Sequence, residues 1–212
     1  MKRILCYGDS NTWGATSGDY NKRYPGKIRF TKQLQILLGR KFKVIEEGFP
    51  GRTMCSDDFK DGFGNRNGSY FFGQCVCTHD PLDYVVIMLG TNDLKTEFNK
   101  TAEDCAIALK IQYIDVLNTK ISEKLSKIPK IIVVAPAKID AKCWGKFEFA
   151  EKKSEHFNEV YKKVALKNNC LFVSNDGLKG GVDDIHLTKE SHALLAQKIA
   201  NVINEYESKK GC

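Results

Sequence analysis

Four short segments of this chain carry residue types suited to nucleophilic attack on a carbonyl. Gly8-Asp9-Ser10-Asn11-Thr12-Trp13-Gly14 offers a hydroxyl, and Glu46-Glu47-Gly48-Phe49-Pro50-Gly51-Arg52-Thr53 a glycine-rich backbone. Gly90-Thr91-Asn92-Asp93 offers a side-chain amide, and Asp183-Asp184-Ile185-His186 an imidazole with acids before it. A serine hydroxyl attacks only with a base beside it, and His186, with Asp183 three residues upstream, can supply one. The carbonyl oxygen then turns anionic and needs fixed donors. The N–H groups of Ser10 and Gly51 and the amide of Asn92 are the candidates. A glycine at 51 lets its amide approach closely, because no Cβ obstructs it.

Each segment alone is weak. A Gly-Asp-Ser is more often a turn, and an Asn in such a stretch is usually a cap or turn residue. His79, His156 and His192 rival His186, and Asp184 rivals Asp183 as its acid. The reading gains weight from the order of the segments and from the elements that must carry them.

Those elements are legible as apolar runs. Strands are expected at Arg3–Tyr7, Phe42–Glu46, Tyr84–Leu89, Lys130–Ala135 and Leu171–Ser174. The runs at 84–89 and 131–134 are continuous rather than alternating, the mark of strands covered on both faces in a parallel sheet. Helices are expected where Phe30, Leu34, Leu37 and Leu38 share a face before Gly39, and after the capping pattern Thr101-x-x-Asp104 as far as Ile121. Two more are expected over Phe147–Lys167 and from Thr188-x-x-Ser191 through Leu194, Leu195, Ile199, Val202 and Ile203. The rhythm is that of one doubly wound α/β domain spanning 1–212. Three of the four segments then follow strand ends, and the fourth precedes the last helix. Ligands bind beyond the carboxyl ends of such strands. Two stretches break the rhythm and are expected as loops: 48–81, rich in Gly, Asn and aromatics, and 137–149, with Trp144, Phe147 and Phe149. So many aromatics argue for function rather than disorder.

Composition narrows the alternatives. The 212 residues carry 42% hydrophobic and 28% charged side chains, as globular proteins do. The longest apolar run falls far short of the roughly 20 residues of a membrane helix. The net charge of +7 is spread among interspersed lysines and glutamates, not set in a stripe, so neither nucleic acid nor membrane is an expected partner. After Met1-Lys2-Arg3 only Ile4–Tyr7 is apolar, too short for a signal peptide, so a cytoplasmic location is expected. The eight cysteines (6, 55, 75, 77, 105, 143, 170, 212) are then expected as reduced thiols. Cys75-x-Cys77-x-His79 is the one local cluster. With no second Cys/His pair nearby it is expected to be structural, with no metal and no cofactor.

Taken together, Ser10, Gly51, Asn92 and His186 in their segments resemble the SGNH (GDSL-type) hydrolases. Ile45-Glu46-Glu47-Gly48, Ile87-Met88-Leu89-Gly90-Thr91-Asn92-Asp93 and Gly181-Val182-Asp183-Asp184-Ile185-His186 look like its arylesterase/acyltransferase branch. The resemblance implies a flavodoxin-like three-layer α/β/α sandwich with a mostly parallel five-stranded sheet. It also implies a Ser10–His186–Asp183 triad acting on a small ester, with association into a homo-oligomer. On this reading Asp9 and Asp93 bond the loops that carry Ser10 and Asn92, and Trp13, Phe49 and Phe147 contact substrate. Two departures stand out: Ala15, where the branch can carry a bulky aromatic, and the aromatic, cysteine-rich stretch 57–79. The rivals are less complete. An α/β-hydrolase elbow wants glycine where Thr12 stands. A phosphate-handling domain using Asp9 and Asp93 leaves Ser10, Asn92 and His186 without a role. A catalytically silent ligand-binding SGNH-like domain, or a carbohydrate O-acetyl esterase, remains an alternative on the same fold.

Overall fold

The computed structural model describes residues 1–140 and 145–210, so Cys143, Trp144 and Cys212 lie outside the described residues. In chain order the strands are β1 (Lys2–Gly8), β2 (Ala15–Thr16), β3 (Asp19–Arg23), β4 (Phe42–Gly48), β5 (Tyr84–Met88), β6 (Lys130–Val134) and β7 (Leu171–Val173). The α-helices are α1 (Ser10–Trp13), α2 (Phe30–Leu38), α3 (Gly68–His79), α4 (Ala102–Leu109), α5 (Ala150–Ser154), α6 (Phe157–Lys167) and α7 (Lys189–Lys210).

The continuous apolar runs become β5 and β6, interior strands of a five-stranded parallel sheet ordered β4-β1-β5-β6-β7. Counted within the sheet this is the 2-1-3-4-5 order of flavodoxin-like folds. Side chains alternate across it. Leu5, Tyr7, Val85, Ile87, Ile131 and Val133 face one buried cluster shared with α3, α4 and α6. Ile4, Cys6, Val86, Met88, Ile132 and Val134 face another, shared with α2 and α7. Two buried faces produce the three layers and explain why these strands show no polar alternation.

The sequence signals at helix ends hold. Thr101 and Asp104 exchange both bonds of a capping box at the start of α4, a device worth about 1 kcal/mol. Thr188 caps α7 by accepting the Ser191 N–H at 3.1 Å. Gly39 ends α2 at a φ of +67°. Beyond Leu109, α4 continues in wider π-type turns to Lys120.

Two expectations need correction, and one element was not expected. The span 48–81 is not loop throughout: α3 occupies its second half, capped by Asn67, whose side chain accepts the Ser69 N–H at 3.1 Å. The segment 147–167 is not one helix but a short turn ending at Phe147, then α5 and α6, with Phe149 at a φ of +63° where the chain turns. The hairpin β2–β3, with Gly18 at its turn, had no expected counterpart. Among the described residues no helix is long and apolar enough to cross a membrane. The six described cysteines are free thiols.

Candidate active site

Parallel strands in register bring their carboxyl ends to one rim. Gly8 of β1 pairs with Gly48 of β4 on one side and Met88 of β5 on the other. The segments carrying Ser10, Gly51 and Asn92 therefore leave the sheet side by side. Gly48 permits this crowding, since a Cβ there would stand 2.1 Å from the Trp13 nitrogen. Ser10 opens α1, whose N-cap Asp9 accepts the Asn11 N–H at 2.9 Å. Burial pushes the Asp9 carboxyl up to about 6, against the pull of that bond and of His186.

Ser10 Oγ lies 3.0 Å from His186 Nε2, and His186 Nδ1 lies 2.8 Å from Asp183 Oδ2. Burial would raise the Asp183 carboxyl, but hydrogen bonds from His186 and Gly18 hold it well below the usual range. An ionised carboxylate only accepts, so Nδ1 carries the proton, Nε2 is the open acceptor and the serine hydroxyl donates to it. Among the described residues no other serine hydroxyl bonds a histidine ring. Two rival histidines are engaged elsewhere, and the third, His156, is exposed at the start of α6. His192 is buried against Phe30 and Tyr24, and desolvation lowers it to about 4. His79 pairs with Glu47 at 2.9 Å.

Two supports escaped the sequence reading. Asn11 donates through Nδ2 to the Ile185 carbonyl at 3.2 Å and accepts the Leu187 N–H at 2.8 Å, gripping the backbone on both sides of His186. The β2–β3 turn reaches Asp183 with the Ser17 hydroxyl and the Gly18 N–H, each at 3.1 Å. An Asn directly after a candidate nucleophile was the available signal for the first. The second has no local signal, because it joins residues 166 apart in sequence.

The donor side is equally tied. Asn92 Nδ2 donates one proton to the Arg52 carbonyl at 3.0 Å, which orients the amide and leaves its second proton available. Arg52 donates to the Gly8 carbonyl at 2.8 Å, joining the Gly51 turn to β1. Gly51 has a φ of +77°, which favours glycine, and a Cβ there would stand 2.8 Å from an Arg66 guanidinium nitrogen, so that side chain would have to shift. Asp93 is fully buried and accepts from the Met54 N–H at 2.5 Å, Cys55 N–H at 3.0 Å, Ser56 N–H at 3.2 Å and Ser56 hydroxyl at 2.9 Å. It thus binds the Asn92 turn to the chain leaving Gly51, a wider role than holding one loop.

Of the aromatic candidates, Trp13 is half-buried beneath the Arg23 guanidinium, 5.2 Å from its ring centre. Phe49 meets Phe63 edge-on at 5.8 Å, and Phe63 is exposed. Phe147 is buried in the core cluster with Leu94 and Ile139. Its apolar type gave no means to tell a core position from a rim position.

Comparison with known proteins places this arrangement. The model of the GDSL-like lipase/acylhydrolase family matches residues 6–194. No curated protein matches the chain. An aryl esterase from M. smegmatis is 33% identical with a TM-score of 0.87, the match covering 97% of this chain and 99% of that one. Est24, a carbohydrate acetylesterase from Sinorhizobium meliloti, is 32% identical with a TM-score of 0.87, covering 97% of this chain and all (100%) of that one. A lipase/acylhydrolase from Enterococcus faecalis shares the fold at 21% identity and a TM-score of 0.69. With a family model spanning nearly the whole chain and esterases of like length superposing on it, this chain belongs to the GDSL-like, or SGNH, hydrolases and is a carboxylic ester hydrolase.

Proposed function

We propose that Ser10, His186 and Asp183 act as the catalytic triad on small esters bearing short acyl groups. The observation that carries this reading is the unbroken chain Ser10 Oγ–His186 Nε2–His186 Nδ1–Asp183 Oδ2, at 3.0 and 2.8 Å. Ser10 attacks the ester carbonyl as His186 Nε2 takes its proton, and Asp183 stabilises the imidazolium and fixes its tautomer. The Ser10 and Gly51 N–H groups and the Asn92 amide receive the oxyanion. His186 returns its proton to the departing alcohol. Water or a second alcohol, deprotonated by the same ring, then releases the acyl group and restores Ser10.

Short acyl groups are favoured because the Arg66 side chain, paired with buried Asp58, packs against Gly51 beside one oxyanion donor. An aryl or otherwise apolar alcohol side is favoured by the half-buried Trp13 and the Phe49–Phe63 pair. The 32% identity to a carbohydrate acetylesterase supports a second reading, in which the alcohol is a sugar. Initial rates on p-nitrophenyl acetate, its longer-chain homologues, phenyl acetate and acetylated xylooligosaccharides separate the two. The proposal expects kcat/KM to fall as the acyl chain lengthens and phenyl acetate to exceed the oligosaccharides. Reversal of the second order moves the assignment to the sugar esters, and no hydrolysis of any member overturns both.

Removing the Asn92 amide should lower kcat by about 10²–10³ with little change in KM, since it acts mainly on developing charge. Steady-state kinetics of Asn92→Ala check this. A pure KM effect would place Asn92 in a ground-state substrate pocket.

A further inference from the structure

We infer that Glu47, Cys75 and His79 form a binding site for one thiophilic divalent cation, zinc foremost, which clips helix α3 to the edge strand β4. Their ligand atoms all lie within 4.8 Å of one another, and Glu47 Oε1 is 2.9 Å from His79 Nε2. This revises the expectation that the cysteine cluster is purely structural. The Cys75-x-Cys77 spacing is misleading, because on a helix those two residues do not share a face, and Cys77 is exposed. Cys75 and His79, four residues apart, do share one. The third ligand comes from across the fold, which the local spacing could not reveal.

The topology prepares this meeting. Tyr7 faces α3, stacking edge-on with Phe72 at 5.1 Å and donating to the Gly68 carbonyl at 2.7 Å. Glu47 is the parallel partner of Tyr7 on β4, so its side chain leaves the sheet on that same face. One turn beyond Phe72, α3 presents Cys75, and it ends at His79. The carbonyl end of a helix of this length favours a cation.

Ligand type and charge select the ion. A thiolate, an imidazole and a carboxylate, with water as fourth ligand, suit tetrahedral zinc rather than magnesium or calcium, which prefer all-oxygen shells. Around tetrahedral zinc at bond lengths of 2.0–2.3 Å, ligand atoms stand about 3.3–3.6 Å apart. The glutamate–histidine pair must open by a few tenths of an ångström, and the thiol, within 4.8 Å of both partners, must settle to the same spacing. Both are side-chain adjustments at a half-exposed site. On binding, the Cys75 thiol gives its proton to the buffer. The dication with one thiolate and one carboxylate then makes a neutral cluster, so no excess charge is left at the site. The site is independent of the esterase reading, since none of its ligands belongs to the proposed triad or oxyanion donors.

Tag-free protein, reduced and stripped with EDTA, tests the inference. After incubation with zinc and gel filtration it should retain one equivalent per chain, and its melting temperature should rise with zinc concentration. Cobalt in place of zinc should give a thiolate-to-metal band in the near ultraviolet and tetrahedral bands in the visible. Cys75→Ser should lose the thiolate band and the thermal shift, and Cys77→Ser should keep both. His79→Gln and Glu47→Gln should weaken zinc, measured against a chromophoric chelator, by about tenfold or more. Absence of stoichiometric zinc, a thiolate band that survives Cys75→Ser, or one that vanishes in Cys77→Ser overturns the assignment. Should Cys75→Ser fail to fold, the chelator titration of His79→Gln decides alone, and affinity equal to the parent's overturns it.

Discussion

Ser10→Ala is expected to abolish ester hydrolysis, with kcat falling by about 10⁵–10⁶ while the fold stays intact. The size follows from what is lost. Without the hydroxyl there is no acyl-enzyme, and His186 can only assist direct attack by water from a position arranged for a different nucleophile. Residual turnover would come from the oxyanion donors and substrate positioning. The fold should tolerate the change: the hydroxyl bonds His186, whose backbone stays anchored by Asn11 and Asp183. A fluorophosphonate should label the parent at one site per chain and leave Ser10→Ala unlabelled. Mass mapping of the label to any other serine would remove Ser10 from the role of nucleophile, whatever the variant's activity.

The expectation could be formed before the fold was known because the signals for it are of two legible kinds. Strand runs such as 84–89 declare burial on both faces, and with helices between them only a parallel sheet accommodates them. Segments at strand ends in such a sheet converge whatever their spacing in sequence. Ser10 and Asn92, 82 residues apart, therefore needed no local motif to be placed together.

What stayed hidden has a physical reason as well. Helix α3 reads Gly-Ser-Tyr-Phe-Phe-Gly-Gln-Cys-Val-Cys-Thr-His, with two glycines, β-branched residues and three aromatics, and by propensity alone it is a poor helix. It forms because Phe72 and Val76 are buried against Tyr7 and Tyr113, a tertiary gain that local composition does not report. The Glu47–Cys75–His79 group was invisible for the same reason: without α3, two of its members had no address. The grip of Ser17 and Gly18 on Asp183 likewise depends on a hairpin whose strands are two and five residues long, too short for any periodicity to emerge.

That grip bears on the second large effect, which decides between two adjacent aspartates. Asp183 Oδ1 accepts from the Ser17 hydroxyl at 3.1 Å, the Ile185 N–H at 3.1 Å and the His186 N–H at 2.9 Å. Its Oδ2 accepts from the Gly18 N–H at 3.1 Å and from His186 Nδ1 at 2.8 Å. An asparagine at 183 must turn its NH2 toward one of these sets. Facing the first set, it would meet two backbone donors that cannot reverse. Facing the second, it meets one backbone donor and an imidazole that can shift its proton. The variant therefore resolves the conflict at the ring, moving the proton to Nε2, where it confronts Ser10 and removes the base. Asp183→Asn should lower kcat on phenyl acetate by at least about 10² and up to about 10⁴. Asp184 differs in each respect. Its φ of +56° suits asparagine as well as aspartate, and among the described residues its carboxylate bonds to nothing. Asp184→Asn should change kcat severalfold at most. Both variants are measured at neutral pH, with circular dichroism confirming the fold. If Asp184→Asn is the crippled enzyme and Asp183→Asn is near normal, the acid of the triad is Asp184, and the hydrogen bonds gathered on Asp183 serve only to shape the loop.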